Sequence, residues 1–316
     1  MEASVAVTPR ASNSDCSSRR VGDRVTSLIR RSLVLPTLVG LVAAGFASSI
    51  SPTATFASSA SSAAPSTIVI WTLRPGCAHD IDVGAADFVF LHQTFPVVWV
   101  VGCNPVPSGF GIYQWDDSPG SWFPSPGGAF TIAGTLGTES SGVLVTNDVG
   151  QIWRASEPAE NDLSPWSLLG GCAHDIDAGA DGTAWVVGCN PMPGGFGIYQ
   201  QSPTGLGAGW VTKPGGAVRI GVDPNGDAWV TNNVGQIFHW NGRAWVLAPG
   251  CGRDIDVGFD GSVWLVGCNP VPGGFGIYRW SGSGWVRQPG GALRIGVDFN
   301  GNAWVTNNLG QVYSSS

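Results

Sequence analysis

Positive charge, methionine and helical periodicity are all scarce in this chain of 316 residues. Residues 67–316 hold nine Lys/Arg against nineteen Asp/Glu, a net charge near −10. A phosphate lattice or an anionic membrane face needs a basic stripe to meet it, so nucleic acid and charged lipid are not expected partners. No stretch of that region repeats apolar residues at three-to-four spacing, which excludes a design built on amphipathic helices. The cysteines come without a CxxC pair or a nearby pair of histidines, so no metal site is expected at them. There is no Ser-x-Asp-x-Gly-x-Thr-Trp box, no Ser, His and Asp set that breaks the repeat pattern, and no cofactor signature. His92 and His239 stand alone. The expectation is a protein that is not an enzyme and uses neither a cofactor nor a metal.

Long hydrophobic runs are missing too. The longest, Leu33 to Ala47, has fifteen residues, short of the roughly 20 that a spanning helix needs. Arg10, Arg19, Arg20, Arg24, Arg30 and Arg31 precede it, and a Ser/Ala-rich stretch with a candidate cleavage point at Thr55-Phe56-Ala57 follows. That order reads as an export signal and leader over residues 1–66. Arg30-Arg31 leaves a twin-arginine route open, and the Ser- and Arg-rich composition leaves a bipartite plastid transit peptide open. The expected location is secreted or extracytoplasmic, with the thylakoid lumen as the alternative. Membrane attachment enters only if the signal stays uncleaved.

Glycine (47), proline (22) and tryptophan (15) are abundant, a composition that suits short strands and tight turns. They fall in repeats. Cys172 opens CAHDIDAGADGTAWVVGCNPMPGGFGIYQ and Cys251 opens CGRDIDVGFDGSVWLVGCNPVPGGFGIYR. Cys77 opens CAHDIDVG, which resumes as VVWVVGCNPVPSGFGIYQ after an insertion around Asp87–Pro96. A shorter unit alternates with these, at Pro214–His239, at Pro289–Tyr313 and, in decayed form with Leu144 in place of Trp, at Pro126–Arg154. The marker tryptophans Trp71, Trp122, Trp166, Trp210, Trp245 and Trp285 recur every 35 to 51 residues.

Each unit holds four strand candidates. In the last long unit they are Asp254–Val257, Val263–Gly267, Ile277–Trp280 and Trp285–Gln288, with Asn269–Gly276 as a loop. One such sheet cannot bury both of its apolar faces, so a period of this length signals blades packed face to face around an axis. The last unit lacks a fourth strand, while Thr67–Leu73 has the fourth-strand pattern with no blade before it. Pairing of Thr67–Leu73 with Gly310–Ser314 would therefore close the ring and remove its free edges. Six cysteines come two to a long unit. Around the Ala180–Thr183 turn, Cys172 and Cys189 face each other across a hairpin, and Cys251 and Cys268 do so around Phe259–Ser262. The expected disulfides are Cys77–Cys103, Cys172–Cys189 and Cys251–Cys268, which require an oxidising compartment. Cys16 lies in the leader.

The patterns W-x-x-x-P-G, [DR]-I-x-V-G, D-G-x-x-W-V and G-x-I-Y-x-W, recurring in order over all of residues 67–316, resemble the tectonin repeats of secreted animal, fungal and slime-mould lectins. The resemblance implies an all-β, six-bladed propeller of four-stranded blades. It also implies a non-enzymatic glycan-binding protein, with lipopolysaccharide sugars and methylated sugars among the glycans such proteins take. The insertion at Asp87–Pro96 and the loss of Trp at Leu144 depart from strict sixfold equivalence.

In such a blade the loop between the second and third strands and the blade-to-blade loop share one face. That face holds Asn104, Asn190 and Asn269, the aromatics Phe110, Phe196 and Phe275, and His79, His174 and Arg253. Planar amides that bridge hydroxyls and an aromatic ring against sugar C–H groups fit a glycan site. Asn232-Asn233 and Asn307-Asn308 on neighbouring units fit it too. The alternative is that Phe and Pro plug each loop onto its blade and Asn serves turn geometry. The Asp pairs Asp80/Asp82, Asp175/Asp177 and Asp254/Asp256 fall on the strand nearest the axis, where short units carry Thr131, Arg219 and Arg294. A cation site or paired catalytic carboxylates is one reading. The alternation of sign favours ion pairs between blades. A protein-binding scaffold and a propeller lyase or glycosidase remain the alternatives for the whole.

Overall fold

Six sheets follow one another in the order that the repeats predict. The structure, a computed structural model, describes residues 69–88, 93–118, 120–138, 142–155, 166–202 and 209–316, all within the unit Ala63–Ser316. The expected leader, residues 1–66, lies outside the described residues, as does His92. The described residues are strands and turns without a helix, so no helix among them is long and apolar enough to cross a membrane.

Blade I comprises Ala78–Phe88, Gln93–Val106, Gly109–Asp116 and Ser121–Ala129. Blade II comprises Thr131–Gly134, Val143–Thr146, Ile152–Ala155 and Trp166–Leu169. Blade III comprises Ala173–Ala178, Ala184–Met192, Gly195–Gln201 and Trp210–Ala217. Blade IV comprises Arg219–Val222, Ala228–Thr231, Ile237–Trp240 and Trp245–Ala248. Blade V comprises Gly252–Val257, Val263–Val271, Gly274–Trp280 and Trp285–Ala292. Blade VI comprises Arg294–Val297, Ala303–Thr306, Val312–Ser315 and, from the other end of the chain, Trp71–Arg74. Within each blade the four strands pair antiparallel, and the fold is a six-bladed β-propeller.

The closing strand lies at the end of the expected Thr67–Leu73 stretch and runs from Trp71 to Arg74, pairing Trp71 with Ser315 and Arg74 with Val312. Apolar packing sets this register: Trp71 lies over the cluster formed by Trp264, Ile277 and Val305, and its Nε1 donates to the Pro289 carbonyl at 3.0 Å. The same indole-to-proline bond recurs from Trp122 to Pro75, Trp166 to Pro126, Trp245 to Pro214 and Trp285 to Pro249. It ties the outermost strand of one blade to the blade before it.

Apolar alternation places the core between blades. Trp185 with Val187 and Ile198 meets Ile220 and Val222 of blade IV, and Trp264 with Val266 and Ile277 meets Ile295 and Val297 of blade VI. Leu144, which replaces a Trp, is buried against Ile176 and Val186, so the decayed unit keeps its packing with a smaller side chain. The insertion in blade I lengthens its first hairpin and pairs it in parallel with the short strand Leu136–Thr138, Ala85 opposite Leu136. That makes a second link between blades I and II.

Three disulfides, Cys77–Cys103, Cys172–Cys189 and Cys251–Cys268, close the first hairpins of blades I, III and V. The loops they close span 26, 17 and 17 residues, for which chain entropy gives about 3 kcal/mol each. Such bonds persist in an oxidising compartment.

Candidate functional site

The segment read as a loop at Asn269–Gly276 is instead a strand extension. Pro270 pairs with Phe275 and Val271 with Gly274, turning at Pro272-Gly273, after a register shift beyond Val266. Blades I and III repeat this, with Pro105 opposite Phe110 and Pro191 opposite Phe196. Proline lacks a ladder donor but tolerates such an edge position beside an irregularity. The three hairpins therefore stand as rigid ribbons on the face where blades connect.

These hairpins and the short-blade turns form a continuous rim. Asp148, Asn233 and Asn308 donate their backbone N–H groups to Ser108, Gly194 and Gly273, at 3.1, 2.8 and 2.9 Å. On the other side of each turn, Gly150, Gly235 and Gly310 lie directly against the disulfides of the following long blade. A β-carbon at any of the three would collide with sulfur, and each backbone has a positive φ (77°, 81° and 74°) that glycine alone adopts freely. Val149, Val234 and Leu309, the residues before these glycines, project with 67%, 70% and 73% exposure. Sequence reasoning passed over them.

The structure brings the predicted aromatic and basic residues together. His79 packs against Phe110 with ring centroids 4.3 Å apart and planes tilted by 53°, His174 against Phe196 at 4.2 Å and 51°, and the Arg253 guanidinium lies 3.9 Å from the Phe275 centroid. His79, His174 and Arg253 are exposed, whereas the three phenylalanines are half-buried against their blade cores. The ring face that a sugar would use is thus covered by an imidazole or guanidinium, which presents planar N–H donors in its place. The asparagines do other work. Asn104, Asn190 and Asn269 accept the hydroxyls of Tyr113, Tyr199 and Tyr278 at 2.8, 2.7 and 2.8 Å. Their amides lie over Gly111, Gly197 and Gly276, leaving no room for a β-carbon. Asn232 and Asn307 are buried and bonded to Gln236 and Gln311.

A cleft of about 190 Å³ opens beside the blade III hairpin, between Pro193, Gly194 and Gly216 on one side and Val230, Phe238 and Trp245 of blade IV on the other. It is widest at this junction. A β-carbon on Gly215 would stand 4.0 Å from Trp245, against 3.3 Å for Gly127 from Trp166 and 3.5 Å for Gly290 from Trp71. Trp245 was expected only as a packing residue, and no sequence signal marks its exposed edge.

The axial carboxylates form two tiers. In the upper tier Arg219 bridges Asp175 at 3.5 Å and Asp254 at 3.4 Å, and Arg294 meets Asp80 at 3.3 Å. These are the ion pairs between blades that sign alternation favoured. Asp80, Asp175 and Asp254 also accept N–H groups of Ile132, Ile220 and Ile295 in the next blade. In the lower tier Asp82, Asp177 and Asp256 have backbone partners instead, Gly134 N, Val222 N and Val297 N. Their carboxylate oxygens come within 4.8 Å of one another, a donor set that could hold a cation. Burial raises Asp82 to about 7 against backbone hydrogen bonds from Gly134 and Val83. Burial, then the neighbouring charges, lifts Asp177 and Asp256 well above the usual range.

No family model matches the chain. Two curated relatives from Physarum polycephalum do. Tectonin-2 is 43% identical over 42 residues, 13% of this chain and 12% of the relative. Tectonin-1 is 42% identical over 52 residues, 16% of this chain and 24% of the relative. The match thus spans less than a quarter of either relative. Among solved structures, an X-ray structure provisionally named a gluconolactonase has a TM-score of 0.52 at 12% identity, over 78% of this chain and 92% of that one. That likeness is one of fold alone. The short segments similar to the Physarum tectonins, together with six four-stranded blades, support a likeness to the tectonin-repeat propellers.

Proposed function

We propose that the protein is a non-enzymatic carbohydrate-binding propeller that recognises microbial or cell-surface glycans through the hairpin face. The carrying observation is the threefold recurrence on that face of an exposed planar donor, His79, His174 or Arg253, held on a phenylalanine beside a rigid hairpin. Planar N–H groups suit the vicinal hydroxyls of a sugar, and the fixed backbone keeps the entropy cost of binding low. Trp245 and the cleft beside blade III supply an apolar wall for a C–H face or a methyl or acetyl substituent. Three weak sites on one disc gain by avidity on a repetitive surface. The three disulfides and the sequence of residues 1–66 support an exported protein, with residues 67–316 as the mature propeller.

A glycan array probed with the mature protein, with free-sugar competition, tests this reading. Binding that free sugar displaces supports it. Binding only to arrayed proteins would favour a scaffold, and turnover of an arrayed glycan would favour an enzyme.

A further inference from the structure

Charge divides unevenly between the two faces of the disc. Outside the channel, most acidic side chains of the described residues sit on turns at the far ends of the strands, as Asp116, Asp181, Asp223 and Asp260 do. Among the described turns, bulges and hairpins of the opposite face, the one carboxylate outside the channel is Asp148 and the one arginine is Arg253, both exposed. No ion pair among the described residues involves either of them. Arg253, like His79 and His174, is the extra residue of a β-bulge in the first hairpin of its blade, a device that re-aims a side chain. Asp148 has Asn233 and Asn308 as its siblings. The innermost strands touch in the order of blades I to VI and back to I, so Asp148 on blade II stands diametrically opposite Arg253 on blade V. The same face carries the most exposed large apolar side chains among the described residues, Val149, Val234 and Leu309, and exposes Phe130, Met192 and Leu293 as well. Apolar side chains gathered on one face mark a surface that meets a partner.

We propose that this face is the interface of a two-fold dimer, in which a second copy, turned over, sets its hairpins on the turns of the first. A propeller with a net charge near −10 repels its own kind. Two copies therefore meet at least cost where carboxylates are scarce, with their acidic faces pointing apart. A two-fold axis between the discs, perpendicular to the line from blade II to blade V, places Arg253 of each copy over Asp148 of the partner subunit. The same rotation lays blade I on blade VI and blade III on blade IV, so His79 faces the partner's Asn308 and His174 faces the partner's Asn233. Other rotations that lay long blades on short ones leave Arg253 over an asparagine. The contacts are reciprocal, as a two-fold interface requires, and Val149, Val234 and Leu309 supply its apolar part. An anionic lipid surface fits less well, because one arginine matched by one aspartate is no basic cluster. The dimer covers His79, His174 and Arg253, so dimer and glycan complex exclude each other. The inference does not rest on glycan binding.

Sedimentation velocity of the full chain over roughly a hundredfold range of concentration tests it. The wild type should pass from monomer to dimer. Asp148→Arg alone, or Arg253→Asp alone, opposes like charges twice in each homodimer and should weaken association at least about thirtyfold. Mixing the two single variants restores both attractions, so the mixture should form a heterodimer. The double variant should again pair with itself. Both side chains are exposed, so the variants should fold; if one does not, Val234→Asp combined with Leu309→Asp should abolish the dimer instead. A wild type that stays monomeric, association that survives the reversals, or single variants that do not associate when mixed would overturn the proposal. A monomeric protein that co-sediments with phosphatidylglycerol vesicles, and loses this with Val234→Asp and Leu309→Asp, would also overturn it and would assign the face to lipid.

Discussion

Replacing Trp71 by alanine should loosen the seam of the ring before anything else. Trp71 begins the strand that blade VI borrows from the other end of the chain. Its half-buried indole packs on Trp264, Ile277 and Val305, and partial burial of a side chain this large contributes about 2 kcal/mol. The bond from Nε1 to the Pro289 carbonyl, 3.0 Å long, adds about 1 kcal/mol. A loss of about 3 kcal/mol corresponds to a fall in Tm of roughly 6–12 °C for a domain of this size. Trp245→Ala removes the same bond and a similar contact inside an uninterrupted stretch of chain, so the two variants should lose comparable stability. They should differ in hydrogen exchange. Only Trp71→Ala should speed exchange in Val312–Ser315 and Trp71–Arg74, because only there can a strand leave without unfolding a hairpin. A Trp71→Ala protein that melts within 2 °C of wild type (roughly 1 kcal/mol on the same scale), with unchanged exchange at Val312–Ser315, would refute closure through this strand.

Four further outcomes follow from the same contacts. Peptide mapping should find Cys77–Cys103, Cys172–Cys189 and Cys251–Cys268 intact, and any link between repeats would contradict the hairpin geometry. Gly235→Ala should cost clearly more than Gly242→Ala, measured by urea unfolding. Both glycines have φ near +80°, but only Gly235 lies against a disulfide sulfur; equal costs would refute that packing. The channel carboxylates should make the fold less stable as pH rises from about 4 toward 7. Buried Asp82 and Asp175 keep their protons to about 7 while unfolded aspartate releases its own near 3.9, so the folded state binds more protons in that window. Each such group contributes a fall of up to about 1.4 kcal/mol per pH unit. Asp82→Asn should flatten the slope, and a wild-type stability that climbs through the window would refute the assignment. Chelator should change neither Tm nor glycan binding, since arginines and retained protons offset the channel charge; a chelator-dependent loss would place a metal at Asp82, Asp177 and Asp256.

The blades were legible because their causes are local and repeated. Trp71, Trp122 and their four siblings mark each outermost strand, and the turn at Ala180–Thr183 already sets Cys172 opposite Cys189. The hairpins were less so. Pro270 and Pro272 are loop signals, and only the ladder shows Pro270 facing Phe275. The two tiers of aspartate were half legible. Opposite charges label the pairs that Arg219 and Arg294 make, but the partners of Asp82, Asp177 and Asp256 are backbone N–H groups, which no residue letter announces. For the same reason Asn104, Asn190 and Asn269 looked like ligand groups, when the tyrosine nine residues on from each already holds its oxygen. The cleft at Trp245 depends on how far one indole stands from one glycine, a difference of tenths of an ångström among repeats that read alike.

The most direct test of glycan recognition by the hairpin face is a glycan array run on wild type and on a triple variant, His79→Ala, His174→Ala and Arg253→Ala. All three side chains are exposed, so the variant should keep the circular dichroism and Tm of the wild type to within a few degrees, as surface substitutions do. The account predicts sugar-competable binding by the wild type and its loss, at least a hundredfold in apparent surface affinity, in the folded triple variant. Such a loss matches removal of three contacts that act together. A folded variant that binds the array as tightly as the wild type would contradict the account.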